Sequence, residues 1–263
     1  MSEAFEIIPS SKNKDKPFNP EHTIIQIILD ETGSMNSCKP ATISAFNEFI
    51  ESQKNVVGSC SVSLVKFSTG YVSTSTRKNA MLKSKDINVR TIYENIDIKN
   101  IPELTTYNYS PEGGTNLYDA IGTSIISMEK ILDSLEYVPN VIQVILTDGE
   151  ENSSREYRLS TINKMISEKD ALTHWNTVYL GANQDAWLVG QSFGLSKGQT
   201  MSYSTNDMND TMHVVACSAS TLRSSYSMAS ASLKDGSMTM DEYNSKMTRS
   251  KKSFFSGDDA DEK

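Results

Sequence analysis

Three short stretches of the chain gather side chains able to hold a hard cation: Asp30-Glu31-Thr32-Gly33-Ser34, Gly113-Gly114-Thr115 and Thr147-Asp148-Gly149. The first offers a carboxylate and two hydroxyls at alternate positions of a tight turn, and Gly33 lets the backbone curl so that they converge. Thr115 adds a hydroxyl from a loop that Gly113 and Gly114 leave free, and Asp148 adds a second carboxylate. Small oxygen donors of this kind suit Mg2+, Mn2+ or Ca2+, not zinc. Read alone, the Asp30–Ser34 stretch is also a helix N-cap turn, since Asp, Thr and Ser are cap residues. The other two stretches shift the reading towards metal. Two carboxylates leave a divalent ion short of charge and of ligands, and a partner's carboxylate can fill the gap.

The elements that must bring these stretches together are legible. Thr23–Leu29 is almost continuously apolar and β-branched, which marks a central parallel strand buried on both faces, and it stops at Asp30. Val141–Leu146 is a second such run, stopping just before Thr147-Asp148, and the two are expected side by side at the centre of a sheet. Val62–Phe67, Thr177–Leu180 and Met201–Ser204 read as further strands, Tyr71–Lys78 as an antiparallel hairpin partner, and Tyr93–Ile98 and Thr105–Tyr109 as strand-like fragments. Helical spacing runs through about 41–54, 115–132, 157–169, the stretch around Trp187–Phe193, and 207–230. Alternation of strands and helices predicts an α/β fold: a mainly parallel sheet of about six strands, one antiparallel edge strand, and helices on both faces. Ligands of such sheets bind beyond the carboxyl ends of the strands, where two of the three stretches lie. Residues 1–21 read as a polar leader, 22–230 as the domain, and 231–263 as a polar, disordered tail.

Composition narrows the function classes. The 263-residue chain has a formal net charge of -8 and no long basic block, which argues against nucleic-acid binding. Cys38, Cys60 and Cys217 form no CxxC pair, so neither a thiolate zinc site nor a disulfide framework is expected. No apolar run approaches the roughly 20 residues of a membrane span. The expectation is a soluble, cytoplasmic protein.

Asp30-x-Thr32-x-Ser34, then Thr115, then Asp148 resembles the metal-ion-dependent adhesion site of von Willebrand A domains, whose pattern is Asp-x-Ser-x-Ser, a later Thr and a later Asp. Thr32 in place of Ser keeps the hydroxyl but stiffens χ1. More narrowly, Phe46-Asn47-Glu48-Phe49, Asp148–Asn152 and Leu180–Asp185 are similar to a poorly characterised group of bacterial and phage A-domain proteins. The resemblance covers about residues 22–230. It implies a Rossmann-like fold and a non-enzymatic module that binds Mg2+ (or Mn2+ or Ca2+) and, through it, an Asp or Glu of a partner protein within a larger assembly. It implies that Thr32, Ser34 and Thr115 touch the metal directly and that Asp30 and Asp148 act mostly through water. Glu31, Met35, Gly114, Glu150, Glu151 and Asn183 are the candidate partner-binding rim; the other readings are a core position for Met35, solvated acids near helix starts for Glu31, Glu150 and Glu151, and capping of the next helix for Asn183 and Asp185. Two rival readings remain: an Mg-dependent aspartyl-phosphate phosphatase with Asp30 as nucleophile, and a structural or virion-associated protein with a relic site. Against the first, no lysine at a strand end stands out as a phosphate clamp.

Overall fold

The computed structural model describes residues 16–69, 89–182 and 185–255. Six strands form one sheet: β1 (Phe18–Asp30), β2 (Ser59–Phe67), β3 (Val89–Asp97), β4 (Val138–Thr147), β5 (Trp175–Ala182) and β6 (Thr200–Tyr203), in the order β3-β2-β1-β4-β5-β6. All pairings are parallel except β2–β3, which makes β3 the antiparallel edge. Helices α1 (Lys39–Lys54), α5 (Met208–Lys234) and α6 (Met240–Lys252) cover one face. Helices α2 (Leu117–Ser134), α3 (Leu159–Asp170) and α4 (Ala186–Phe193) cover the other. The antiparallel partner of β2 is therefore Val89–Asp97, while the hairpin expected at Tyr71–Lys78 lies outside the described residues. The strand-like fragment at Thr105–Tyr109 is a turn instead, in which Tyr109 N–H donates to the Thr105 carbonyl.

β4 is buried along its whole length and β1 from His22 onward because helices cover both faces, which is what their largely apolar runs demand. A polar line interrupts the apolar layer beneath α2. Gln143 Nε2 donates to Gln26 Oε1 (2.7 Å), Thr177 Oγ1 donates to Gln143 Oε1 (3.2 Å), and Gln26 Nε2 donates to the Ser124 carbonyl of α2 (3.0 Å). Gln26, Gln143 and Thr177 are fully buried and stand opposite one another across β1, β4 and β5. Ser63 of β2 continues the line opposite Gln26 and accepts from Asn95 N (2.9 Å).

The two ends of the chain differ from expectation. The fold begins before residue 22: Phe18 already belongs to β1, and Lys16 Nζ donates to the carbonyls of Leu132 and Asp133 (2.9 Å each) at the end of α2. Nor is 231–263 a tail throughout, since α5 runs to Lys234 and α6 follows. A capping box of Thr239 and Glu242 starts α6, and Tyr243, Met247 and Phe254 enter the core. Tyr243 packs edge-on against Phe18 with ring centroids 5.9 Å apart. Lys251, 2% exposed, donates to the carbonyls of Asp170 (2.8 Å) and Leu172 (2.7 Å), occupying acceptors that the end of α3 leaves open. Burial lowers the Lys251 ammonium to about 8. Composition hid this helix, because its few apolar side chains stand among charged ones and its buried anchor is a lysine.

Truncation after Gly236 is expected to destabilise the protein by at least ~3 kcal/mol, from the burial of Tyr243, Met247 and Phe254. That corresponds to a fall in Tm of roughly 6–12 °C. An unchanged Tm in calorimetry would mean that α6 does not dock.

Candidate functional site

β1 ends at Asp30 and β4 at Thr147, on the same rim of the sheet. After β1 the chain enters a 3-10 turn, Gly33–Cys38, whose N-cap residue is Thr32. Asp30 is fully buried. Its Oδ1 accepts from Thr32 N (2.7 Å) and its Oδ2 from Thr147 Oγ1 (2.5 Å). Asp148 is half-buried and accepts from Ser34 Oγ (2.5 Å), which lies 3.2 Å from Thr32 Oγ1. Thr115 comes to the same place: a Cβ built on Gly149 would stand 2.8 Å from Thr115 Oγ1 and 3.7 Å from Ser34 Oγ. Asp30, Thr32, Ser34, Thr115 and Asp148 thus converge.

The charges here are unusual. Burial pushes the Asp30 carboxyl up to about 6; hydrogen bonds from Thr147 and Thr32 pull it down, and the nearby Asp148 raises it further. Burial also raises Asp148, against the hydrogen bond from Ser34. Among the described residues no ion pair uses either carboxylate. Nor do three His, Cys, Asp or Glu side chains cluster there, so the donor set is two carboxylates and three hydroxyls. Asn116, beside Thr115, is 1% exposed, and neither polar atom of its side chain has a partner.

The loop carrying Thr115 is held rather than free. Gly113 has φ +79° and its carbonyl accepts from Gly33 N (3.0 Å). Gly114 exchanges hydrogen bonds with Thr69, accepting at its carbonyl (2.9 Å) and donating to Thr69 Oγ1 (2.7 Å). A Cβ on Gly114 would meet Ser153 Oγ at 2.6 Å, so this glycine serves close packing. Asn152 clasps Thr115, accepting from its N–H (2.9 Å) and donating to its carbonyl (3.0 Å).

The rim needs more correction than the ligand set. Glu31 is not a solvated rim acid but 1% exposed, paired with the buried Lys66 (3.0 Å) and with Arg90, and accepting from Ser110 N (2.6 Å). Met35 is fully buried in the core, which decides between its two readings. Glu151 spends its carboxylate on Tyr118 N, Ser153 N and Ser154 N (3.0, 2.9 and 2.7 Å), tying the loop after β4 to the start of α2. Glu150 is exposed and Gly114 partly so, while Asn183 lies outside the described residues. Asp185 caps α4, accepting from Trp187 N and Leu188 N.

Sequence reasoning missed Lys66, which does stand near the end of a strand; its ammonium is committed to Glu31 and to the Asn108 carbonyl. A lone lysine in the apolar run of β2 was the available signal. It also missed Asp119, whose buried carboxylate accepts from the N–H groups of Arg155, Glu156 and Tyr157 (2.8, 2.9 and 2.9 Å) and so holds the far end of the same loop.

No family model matches the chain, and no curated protein matches it in sequence. Solved structures do match in fold. Proximal thread matrix protein 1 from the mussel byssus is similar at 14% identity and a TM-score of 0.50, over 76% of this chain and 48% of that one. The pilus adhesin SpaC from Lactobacillus rhamnosus GG is similar at 15% identity and a TM-score of 0.50, over 78% and 30%. A von Willebrand factor type A protein from Catenulispora acidiphila matches at 11% identity and a TM-score of 0.46, over 76% and 42%. The matched region is less than half of each of those chains. At such identities the likeness concerns the fold: an α/β protein with a mostly parallel six-stranded sheet, one antiparallel edge, and helices on both faces.

Two substitutions test how the site is held. Glu31→Gln is expected to cost about 3–5 kcal/mol in urea unfolding, because Lys66 is left as a buried charge without its counterion. Arg90→Ala is expected to cost less than ~1 kcal/mol, since the Arg90 side chain is half-exposed. Equal effects would show that Glu31 rests on Arg90 rather than on Lys66.

Proposed function

We propose that the rim is a divalent-metal site and that the protein is a non-enzymatic module binding an acidic side chain of a partner protein through that metal. The observation that carries the reading is a pair of carboxylates, one fully buried, ringed by three hydroxyls and matched by no cation among the described residues. A divalent ion would balance that charge with oxygen donors alone, as Mg2+, Mn2+ or Ca2+ prefers. Thr32, Ser34 and Thr115 would hold it directly. Both Asp30 oxygens already accept from Thr32 and Thr147, which favours an action through bound water. The same burial speaks against Asp30 as a nucleophile towards phosphorus. Bound there, the ion would supply an electrophilic centre for a carboxylate. Glu150 would turn away an acidic partner that misses it. A module of this kind would serve as a subunit or adaptor of a larger assembly. Among the described residues no helix is long and apolar enough to cross a membrane.

Calorimetry with Mg2+ or Mn2+ alone is expected to show weak binding, lost in Asp30→Ala. Gly149→Ala should also weaken it, because the new methyl displaces Thr115 Oγ1. Retention of full affinity by Asp30→Ala would falsify this ligand set. Partners captured with and without EDTA, then identified by mass spectrometry, would supply the acidic ligand; Thr115→Ala should weaken that contact more than it weakens metal binding.

The pH dependence follows from Asp30. Its raised carboxyl means that the metal-free folded protein binds a proton more tightly than the unfolded chain. The stability this proton contributes is full below the ordinary carboxylate value and is lost as pH rises through about 6. Metal must displace the proton, so affinity should climb with pH to about 6 and level off above it. Thermal shifts with Mg2+ measured from pH 4 to 8 check this, and a flat profile counts against it.

A further inference from the structure

β6 closes the sheet order, and among the described residues no strand covers its far side. Along that side runs a groove of about 780 Å³ between β6 and the first turns of α5. Met201, Tyr203 and Val214 line it, together with the carboxylates of Asp185, Asp207 and Asp210. Three consecutive residues of β6, Met201 to Tyr203, and Ser204 just after it, line the groove. Asp185 is used as a helix cap. Asp207 and Asp210 are exposed and enter no ion pair among the described residues. The groove adjoins the rim, because Tyr203 OH donates to the Thr147 carbonyl at the end of β4 (3.2 Å).

We propose that this groove receives an extended peptide carrying Lys or Arg at alternate positions, which adds a strand to the free edge of β6. Main-chain hydrogen bonds to an open edge supply affinity, and alternate side chains supply selectivity. Every second side chain of an added strand falls on the α5 side of the sheet, where Asp207 and Asp210 stand. The other edge is less suited, because β3 pairs with β2 through two register shifts and Asn95 sits at φ 49°, irregularities that twist an edge away from pairing. The groove needs no metal, so it stands apart from the reading of the rim.

The test is fluorescence anisotropy of a labelled Lys-Thr-Lys-Val-Lys-Thr peptide with the full chain in EDTA, so that failure of the metal reading cannot affect the result. Binding is expected, weakening as salt rises. The exposed pair Asp207→Lys/Asp210→Lys should lose roughly tenfold or more in affinity, while Glu48→Lys/Glu51→Lys, an equal charge change on α1, should not. Methylating the peptide's amides at one alternate set of positions should abolish binding, and methylating the other set should spare it. No binding, equal loss in both charge-reversal pairs, or indifference to both methylation patterns would overturn the proposal. Circular dichroism of each variant excludes unfolding as the cause.

Discussion

The glutamine pair at the centre of the sheet holds β1 and β4 at one relative height. Gln26 and Gln143 are fully buried, so each amide needs its partner, and the 2.7 Å bond between them forms only in one register. A shift of one residue would turn the side chains of a strand to the opposite face and leave both amides unpaired in apolar surroundings. The apolar positions of β1 and β4 are largely interchangeable Ile, Val and Leu and discriminate poorly between registers. The polar pair does so, and Thr177 and Ser63 extend the constraint to β5 and β2. Register at mid-strand then sets the rim: with Leu29 opposite Leu146, Asp30 meets Thr147 at hydrogen-bond distance and Asp148 follows beside Ser34.

Three acids crowd the top of these strands, and the fold treats them differently. Glu31 is neutralised from below by Lys66 and from the side by Arg90. Asp30 and Asp148 receive hydrogen bonds but pair with no Lys, Arg or His among the described residues, and burial raises both. Hydrogen bonds alone do not offset the cost of placing such charge in a poorly solvated site. The protein has thus compensated Glu31 and left Asp30 and Asp148 without a counterion among the described residues. Around them, Glu151, Asn152 and Asp119 lace the loop after β4 to the start of α2, so the donors are held by neighbouring loops rather than by their own flexibility.

Much of this arrangement could be read from the chain. Thr23–Leu29 and Val141–Leu146 are long β-branched runs whose only stable location is between two helical layers, and their ends coincide with changes from apolar to acidic or hydroxyl residues. Four of the five converging donors follow from those boundaries, and Thr115 from the Gly113-Gly114 loop before its helix. What resisted reading depends on tertiary neighbours. Glu31 and Glu151 look like surface acids because nothing local distinguishes a solvated carboxylate from one buried against a lysine 35 residues further along the chain or folded back on backbone N–H groups. Helix α6 was illegible because burial of a lysine leaves no hydrophobic signal, and because Tyr243 and Met247 are too few to mark a face.

The docking of α6 also has a geometric outcome. Phe18, where the described chain enters the sheet, touches Tyr243, and Phe255, near where it leaves, donates its N–H to the Gly198 carbonyl just before β6. Lys251 sits at the close of α3, which again lies at the amino ends of the parallel strands. Entry and exit therefore share the base of the molecule, while Asp30, Asp148 and Thr115 occupy its summit. A surface or a neighbouring molecule resting against this base would leave the oxygen-lined rim uncovered at the opposite end of the sheet.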